Sequence, residues 1–95
     1  MKNIRRKAEN AKLESEAYRA VWETVEEVQN WTDSDDGLTM AARDLLGIAY
    51  SCEKFLDAGD KSGFIDWTTY NGEIDYGNTG TEQNLIRALV TWARY

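Results

Sequence analysis

Very few side chains in this sequence could act as nucleophiles, general bases or ligands of soft metals. The 95 residues include no histidine, which is the commonest general base and transition-metal ligand, and a single cysteine, Cys52. Cys52 lies at helical spacing from Leu45, Ala49 and Leu56, so we expect a buried structural thiol. No histidine is present to activate this thiol or any serine. We therefore expect no catalytic nucleophile and no zinc site.

Residues 57–66 resemble a calcium-binding loop of the EF-hand type, with Gly63 in place of the turn glycine. With Gly63 at loop position six, Ala58 takes the first position and Thr69 takes the twelfth. The first ligand and the bidentate glutamate are then both missing. We therefore interpret this segment as a surface turn that does not bind calcium specifically.

Two groups of carboxylates complete the candidates for chemistry. Asp33, Asp35 and Asp36 lie close enough in sequence to hold a hard cation, but capping of the next helix also explains them. Asp66 and Asp75 could form an acid–base pair for glycoside hydrolysis, yet a domain this small offers no deep sugar-binding cleft. The sequence also lacks the glycine patterns that bind phosphates. We predict no enzymatic activity, no cofactor and no metal.

Length and composition indicate one small globular domain over residues 1–95. Four tryptophans, five tyrosines and two phenylalanines, with 42% hydrophobic residues, can close a core without disulfides or metal. No segment approaches the roughly 20 apolar residues of a membrane-spanning helix. The lone cysteine and the absence of an apolar segment near Met1 lead us to expect a cytoplasmic protein.

Two helices are predicted in the first part of the chain. From about Asn3 to Asn30, apolar residues recur at intervals of three and four, which predicts a helix. Its first part has few large apolar residues, so we expect residues 1–12 to fray or project as a basic arm. The segment from Leu38 to Ala58 is apolar on nearly all sides, which predicts a central helix packed on two sides and ended by Gly59.

The strongest local signal is Asn71-Gly72, which lies between two runs rich in aromatic and β-branched residues from Phe64 to Tyr76. It predicts a β-hairpin closed by a type I′ turn. The predicted cross-strand pairs are Tyr70 with Glu73, Thr69 with Ile74, Thr68 with Asp75 and Trp67 with Tyr76. This register gives the hairpin an apolar face, which should pack on the helices, and an acidic face directed outward.

A final helix is predicted from about Gly80 to the end of the sequence, because Thr79 and Glu82 form a capping-box pattern. The predicted fold class is therefore mainly α (α+β), in the order helix, helix, β-hairpin, helix, with the hairpin packed on the helices. The faces assigned to the core include those of Trp22, Trp31, Trp67 and Trp92.

Charge is distributed unevenly along the chain. Residues 1–12 contain five basic residues and one acidic residue, whereas the remaining residues contain six basic and sixteen acidic ones. An acidic body repels nucleic acid and anionic membranes and attracts basic protein surfaces, although solubility alone also favours such a surface. We therefore expect a protein partner and neither nucleic acid nor a membrane.

These observations predict a non-enzymatic protein–protein interaction module whose acidic surface binds a basic or mixed partner surface. The predicted contact residues lie on the outer face of the hairpin: Phe64, Asp66, Tyr70, Glu73 and Asp75. A narrower hypothesis is a phage or mobile-element inhibitor of host nucleic-acid machinery, of the anti-CRISPR or anti-restriction type, with carboxylates placed where phosphates would lie.

Two alternatives remain open. The first is a nucleic-acid-binding accessory protein that grips the phosphate backbone with its basic N-terminal arm, which carries Lys2, Arg5, Arg6, Lys7 and Lys12. The second is a homo-oligomeric structural protein, for example a homodimer in which the long first helix pairs across a two-fold axis.

Overall fold

Four helices and one antiparallel hairpin form the part of the chain that the computed structural model describes. That part is the backbone of residues 2–31 and 40–95, with side chains from residue 4 onward in those ranges. The elements are α1 (Lys2–Trp31), α2 (Met40–Ala58), α3 (Lys61–Thr68), β1 (Thr69–Tyr70), β2 (Glu73–Ile74) and α4 (Gly80–Arg94). The predicted mainly helical class with a hairpin is confirmed. The aspartate cluster at positions 33, 35 and 36 lies outside the described residues.

α1 is the helix on which the other helices are arranged. It packs along both α2 and α4, whereas α2 and α4 meet each other only over a short stretch. The buried side chains of α1 recur at intervals of three and four, as the sequence predicted: Ala17, Val21, Thr24, Val25 and Val28. Thr24 is compatible with this burial because its hydroxyl donates a hydrogen bond of 2.7 Å to the carbonyl of Ala20.

The prediction that α2 is the central helix is wrong. Met40 and Tyr50 are exposed, and so are Ala41 and Gly47, so α2 is buried along one side only. Its buried stripe contains Cys52 together with the residues predicted to share its face. It consists of Ala42, Leu45, Ala49, Cys52 and Leu56. Gly59 ends the helix in the left-handed region, at φ 63°, as expected for the residue after a helix C-terminus.

Residues 61–68 form a helix, α3, where the sequence predicted a surface turn and, from Phe64 onward, the first strand of the hairpin. Asp60 caps α3 by accepting a hydrogen bond of 3.0 Å from the Gly63 amide. Phe64 and Thr68, four residues apart, are both buried. The alternation of apolar and polar residues that suggested a strand therefore also satisfies helical spacing. Because Gly63 lies inside α3, it is not the turn glycine of a calcium loop.

The hairpin retains the predicted turn and register but is shorter than predicted. Thr69 pairs with Ile74 and Tyr70 pairs with Glu73. Both turn residues have positive φ, 53° at Asn71 and 84° at Gly72, as a type I′ turn requires. Beyond these pairs, one backbone hydrogen bond of 2.8 Å runs from the amide of Asp75 to the carbonyl of Thr68. The predicted pair of Trp67 with Tyr76 is wrong because Trp67 belongs to α3.

The N-terminus of α4 is fixed by a set of side-chain caps. Thr79 accepts a hydrogen bond of 3.1 Å from the Glu82 amide, which confirms half of the predicted capping box. The Glu82 carboxylate accepts a bond of 2.8 Å from the amide of Asn78, one residue before the expected donor. Gly77 lies against that carboxylate at φ 84°, so an added Cβ would be strained and would overlap the Glu82 side chain.

We expect Gly77→Ala to destabilise the protein by about 1–3 kcal/mol, because alanine would have to adopt the left-handed conformation and displace the Glu82 cap. Gly47→Ala is the matched control. Gly47 lies within α2, and no atom lies within 4 Å of the position that a Cβ would take there, so alanine should stabilise the helix by about 0.5–1 kcal/mol. Urea unfolding followed by circular dichroism measures both. Equal effects of the two substitutions would contradict this account of the cap.

The fully buried thiol of Cys52 should be a reporter of global unfolding. Burial raises the pKa of Cys52 to about 12, with a smaller contribution from Glu82. In the native protein at pH 8, labelling by a disulfide reagent should be slower than in denaturant by roughly 10³-fold or more, since at about 5 kcal/mol of stability few molecules are unfolded. Labelling of the native protein at the denatured rate would contradict the placement of Cys52 in the core.

Candidate protein-binding groove

The structure separates the five residues predicted to contact a partner. Phe64 is wrongly predicted: it is 0% exposed and packs edge-on against Phe55, with ring centroids 5.9 Å apart. It points into the core because residues 61–68 are helical. Asp66, Tyr70, Glu73 and Asp75 are exposed, and Tyr70 is the most exposed aromatic side chain among the described residues, at 76%. Tyr70 and Asp75 line the same concavity, whereas Asp66 and Glu73 lie outside it.

Trp67, which the sequence assigned to the core, is the exposed aromatic residue of α3, as Phe64 was predicted to be. Its indole is 44% exposed, while its other side rests on two phenylalanine rings. The centroid distances are 5.6 Å to Phe55 and 6.1 Å to Phe64, within the range of favourable aromatic pairs. Trp67 is therefore a surface aromatic residue that the core holds in place. The sequence carried a signal for this contact, because residues three apart in a helix are neighbours on its surface and Trp67 is three residues after Phe64.

Two adjoining concavities meet at Trp67. One, of about 740 Å³, extends along the first half of α2 to Trp31, and the other, of about 240 Å³, extends to Tyr70 on the hairpin. Ile48, Trp67 and Glu82 line both. We call this continuous surface the aromatic groove and define it by its large side chains, which are Trp31, Ile48, Trp67 and Tyr70.

The charged side chains that line the aromatic groove are mostly acidic. Among the described residues, they are the carboxylates of Asp44, Asp75 and Glu82 and the guanidinium of Arg43. We call the three carboxylates the acidic rim. Asp75 accepts a hydrogen bond of 2.8 Å from the Gly77 amide, and Glu82 accepts the bond from Asn78 described above. These partners are uncharged, so they orient the carboxylates without neutralising them. The groove therefore combines apolar walls with a negative rim.

Among the described residues, no group of three or more histidine, cysteine, aspartate or glutamate side chains could hold a metal ion. Cys52 is sealed in the core and lies outside the groove. Of the two carboxylates considered as an acid–base pair, Asp75 lines the groove and Asp66 does not. In the described part of the chain, no helix is long and apolar enough to cross a membrane.

Comparison with known proteins gives no relative: no family model, no curated protein and no solved structure matches this chain. The aromatic groove and the surfaces around it therefore have to be interpreted from their own chemistry.

Tyr18, whose hydroxyl has a strongly raised pKa, lies away from the aromatic groove, on the surface between α1 and α2. The Tyr18 hydroxyl donates a hydrogen bond to the Asp57 carboxylate, 39 residues later in the sequence. This bond to Asp57 is the main reason why the pKa of Tyr18 is raised to about 12, and burial adds to it. The bond joins the middle of α1 to the last turn of α2.

The Tyr18–Asp57 bond predicts a specific alkaline titration. The pKa of Tyr18 is higher in the folded protein than its ordinary value of 10.0, so the bond stabilises the fold below about pH 10 and this stabilisation is lost as the pH rises towards 12. Asp57→Asn should move the ionisation of one tyrosine, followed by tyrosinate absorbance, to lower pH. Glu53→Gln is the control, because Glu53 contributes least to the shift. A titration curve that Asp57→Asn leaves unchanged would refute the assignment.

Proposed function

We propose that this protein is a non-enzymatic interaction module that binds another protein in the aromatic groove. The observation that supports this most strongly is Trp67, a large aromatic side chain that is 44% exposed and held by two phenylalanines where two concavities meet. Tryptophan and tyrosine are the residues that most often dominate the binding energy of protein interfaces. Because the core already orders Trp67, binding loses little side-chain entropy there.

The chemistry of the groove indicates the kind of partner surface that fits it. It is lined by Ile48, Trp67 and Tyr70, and the three carboxylates of the acidic rim face one arginine in the part of the chain that the structure describes. A matching surface carries apolar side chains flanked by lysine or arginine. The acidic residues that lie outside the groove, Asp66 and Glu73, extend the same negative field and accelerate association with a basic partner.

The narrower form of the proposal concerns the identity of the partner. A partner that handles nucleic acid has a basic surface, and carboxylates can occupy the positions that phosphates would take. In this form the protein is a cytoplasmic inhibitor of host nucleic-acid machinery, of phage or mobile-element origin. Its support is the acidic rim together with the formal net charge of −6.

The test is affinity capture from host extract with the wild type and two matched variants. The groove variant combines Asp44→Lys with Tyr70→Ser, which are exposed residues of the groove. The control variant combines Glu26→Lys with Tyr50→Ser, which makes the same chemical changes at exposed positions outside it. Circular dichroism confirms that both variants fold. Partner affinity should fall at least about tenfold in the groove variant and stay within about twofold in the control.

Three results bear on the proposal. A partner retained equally by the wild type and the groove variant would refute the groove as the binding surface. Binding that does not weaken between about 50 mM and 200 mM salt would refute the role of the acidic rim. For the narrower form, a DNA duplex that competes with the protein for its captured partner supports phosphate mimicry, and simultaneous binding of both contradicts it.

A further inference from the structure

A third concavity, of about 400 Å³, lies near the N-terminus of α1, and its lining has the opposite charge to that of the aromatic groove. The residues that line it are Arg6, Lys7 and Asn10 of α1, Lys61 at the start of α3, and Tyr95. We call it the basic groove. It gathers three cationic side chains and no carboxylate side chain from the described residues, in a protein whose formal net charge is −6.

Two of the three cations are held in place by neutral groups. Lys61 donates a hydrogen bond to the side-chain carbonyl of Asn10, and its ammonium lies 5.5 Å from the ring centroid of Trp92 and 5.9 Å from that of Tyr95. The guanidinium of Arg6 lies 5.7 Å from the Tyr95 centroid. Such cation–π contacts position a cation without neutralising it. They leave N–H groups of both cations available to an anion.

The nearby carboxylates form no ion pair with these three cations. Glu9 accepts a hydrogen bond from the Tyr95 hydroxyl, and Asp60 caps α3; neither lines the basic groove. No ion pair joins the three cations to a carboxylate side chain within the ranges that the structure describes. Three like charges that share one concavity repel one another, and a bound anion would relieve that repulsion.

The helix dipole does not explain the basic residues of α1. Backbone dipoles favour acidic residues in the first turn of a helix and basic residues in its last turn. α1 has no acidic residue in its first turn and no basic residue in its last turn. Arg6 and Lys7 lie just after the first turn, where the dipole does not favour a cation.

Helix geometry shows that the basic residues of α1 do not form one continuous track. At about 100° per residue, Arg5 and Lys12 lie within roughly 20° of each other, about 100–120° around the helix from Arg6 and about 140–160° from Lys7. Both are exposed, and neither lines the basic groove. A nucleic-acid backbone running along α1 could not contact all four at once. The geometry favours a compact anion over an extended one.

We propose that the basic groove binds a phosphate-bearing ligand of one or two phosphate groups. In this site Arg6 supplies a planar pair of donors that suits phosphate oxygens, while Lys61 and Lys7 supply ammonium donors. A free phosphorylated metabolite and the terminal phosphate of a nucleic acid share this chemistry. The site is independent of the aromatic groove, so either proposal can fail without the other.

The test titrates the full chain with inorganic pyrophosphate, followed by amide and indole NMR shifts at low salt. Arg6→Gln with Lys7→Gln is the site variant, and Arg5→Gln with Lys12→Gln is the control on the same helix with the same change in charge. We expect pyrophosphate to shift Asn10, Lys61 and Trp92, the site variant to lose at least about tenfold in affinity, and the control to stay within about twofold.

A second titration, with octathymidylate bearing or lacking a 5′ phosphate, distinguishes the sources of phosphate. A preference for the phosphorylated oligonucleotide supports capture of a terminal phosphate, and binding of pyrophosphate alone supports a small metabolite. Equal losses in the site and control variants would show general charge attraction and would overturn the proposal. Absence of any pyrophosphate-induced shift at millimolar concentration would overturn it as well.

Discussion

The fold depends on one helix burying its side chains against two neighbours at once. α1 packs along α2 and α4, which have little contact with each other, so the core closes only because the buried stripe of α1 is wide enough to serve both. α3 completes the core by inserting Phe64 against Phe55 of α2. The aromatic groove follows from that arrangement, since α3 carries Trp67 and also leads directly into the hairpin.

The elements that could be predicted from sequence are those encoded by local chemistry. The type I′ turn at Asn71-Gly72 and the cap at Thr79 depend on backbone conformation and on hydrogen bonds within a few residues, and both occur where predicted. α3 was missed because a short segment with alternating residues also places Phe64 and Thr68 four apart. The Asp60 cap stabilises the start of the helix, whereas the sequence pattern around Asp60 indicates a turn.

The candidate site was predictable in its charge and in one aromatic residue, but its other aromatic residues were not. Tyr70, Glu73 and Asp75 are exposed as predicted, because a hairpin register fixes which side chains share a face. Asp66 is also exposed, but it lies on α3 and not on the hairpin. Which tryptophans are buried depends instead on how far each helix is covered by its neighbours. Trp92 is enclosed, whereas Trp67 and two tryptophans of α1 extend beyond the contacts between helices. Periodicity identifies a face but not the extent of its coverage.

Glu82 connects the local order of α4 with the aromatic groove. Its carboxylate accepts a hydrogen bond from the amide of Asn78, which precedes the helix. The same side chain lines both concavities of the aromatic groove. A partner that contacts this carboxylate therefore acts on the segment that determines where α4 begins. Occupancy of the groove and the opening of the first turn of α4 become thermodynamically linked, so a bound partner would slow hydrogen exchange of amides that it does not touch.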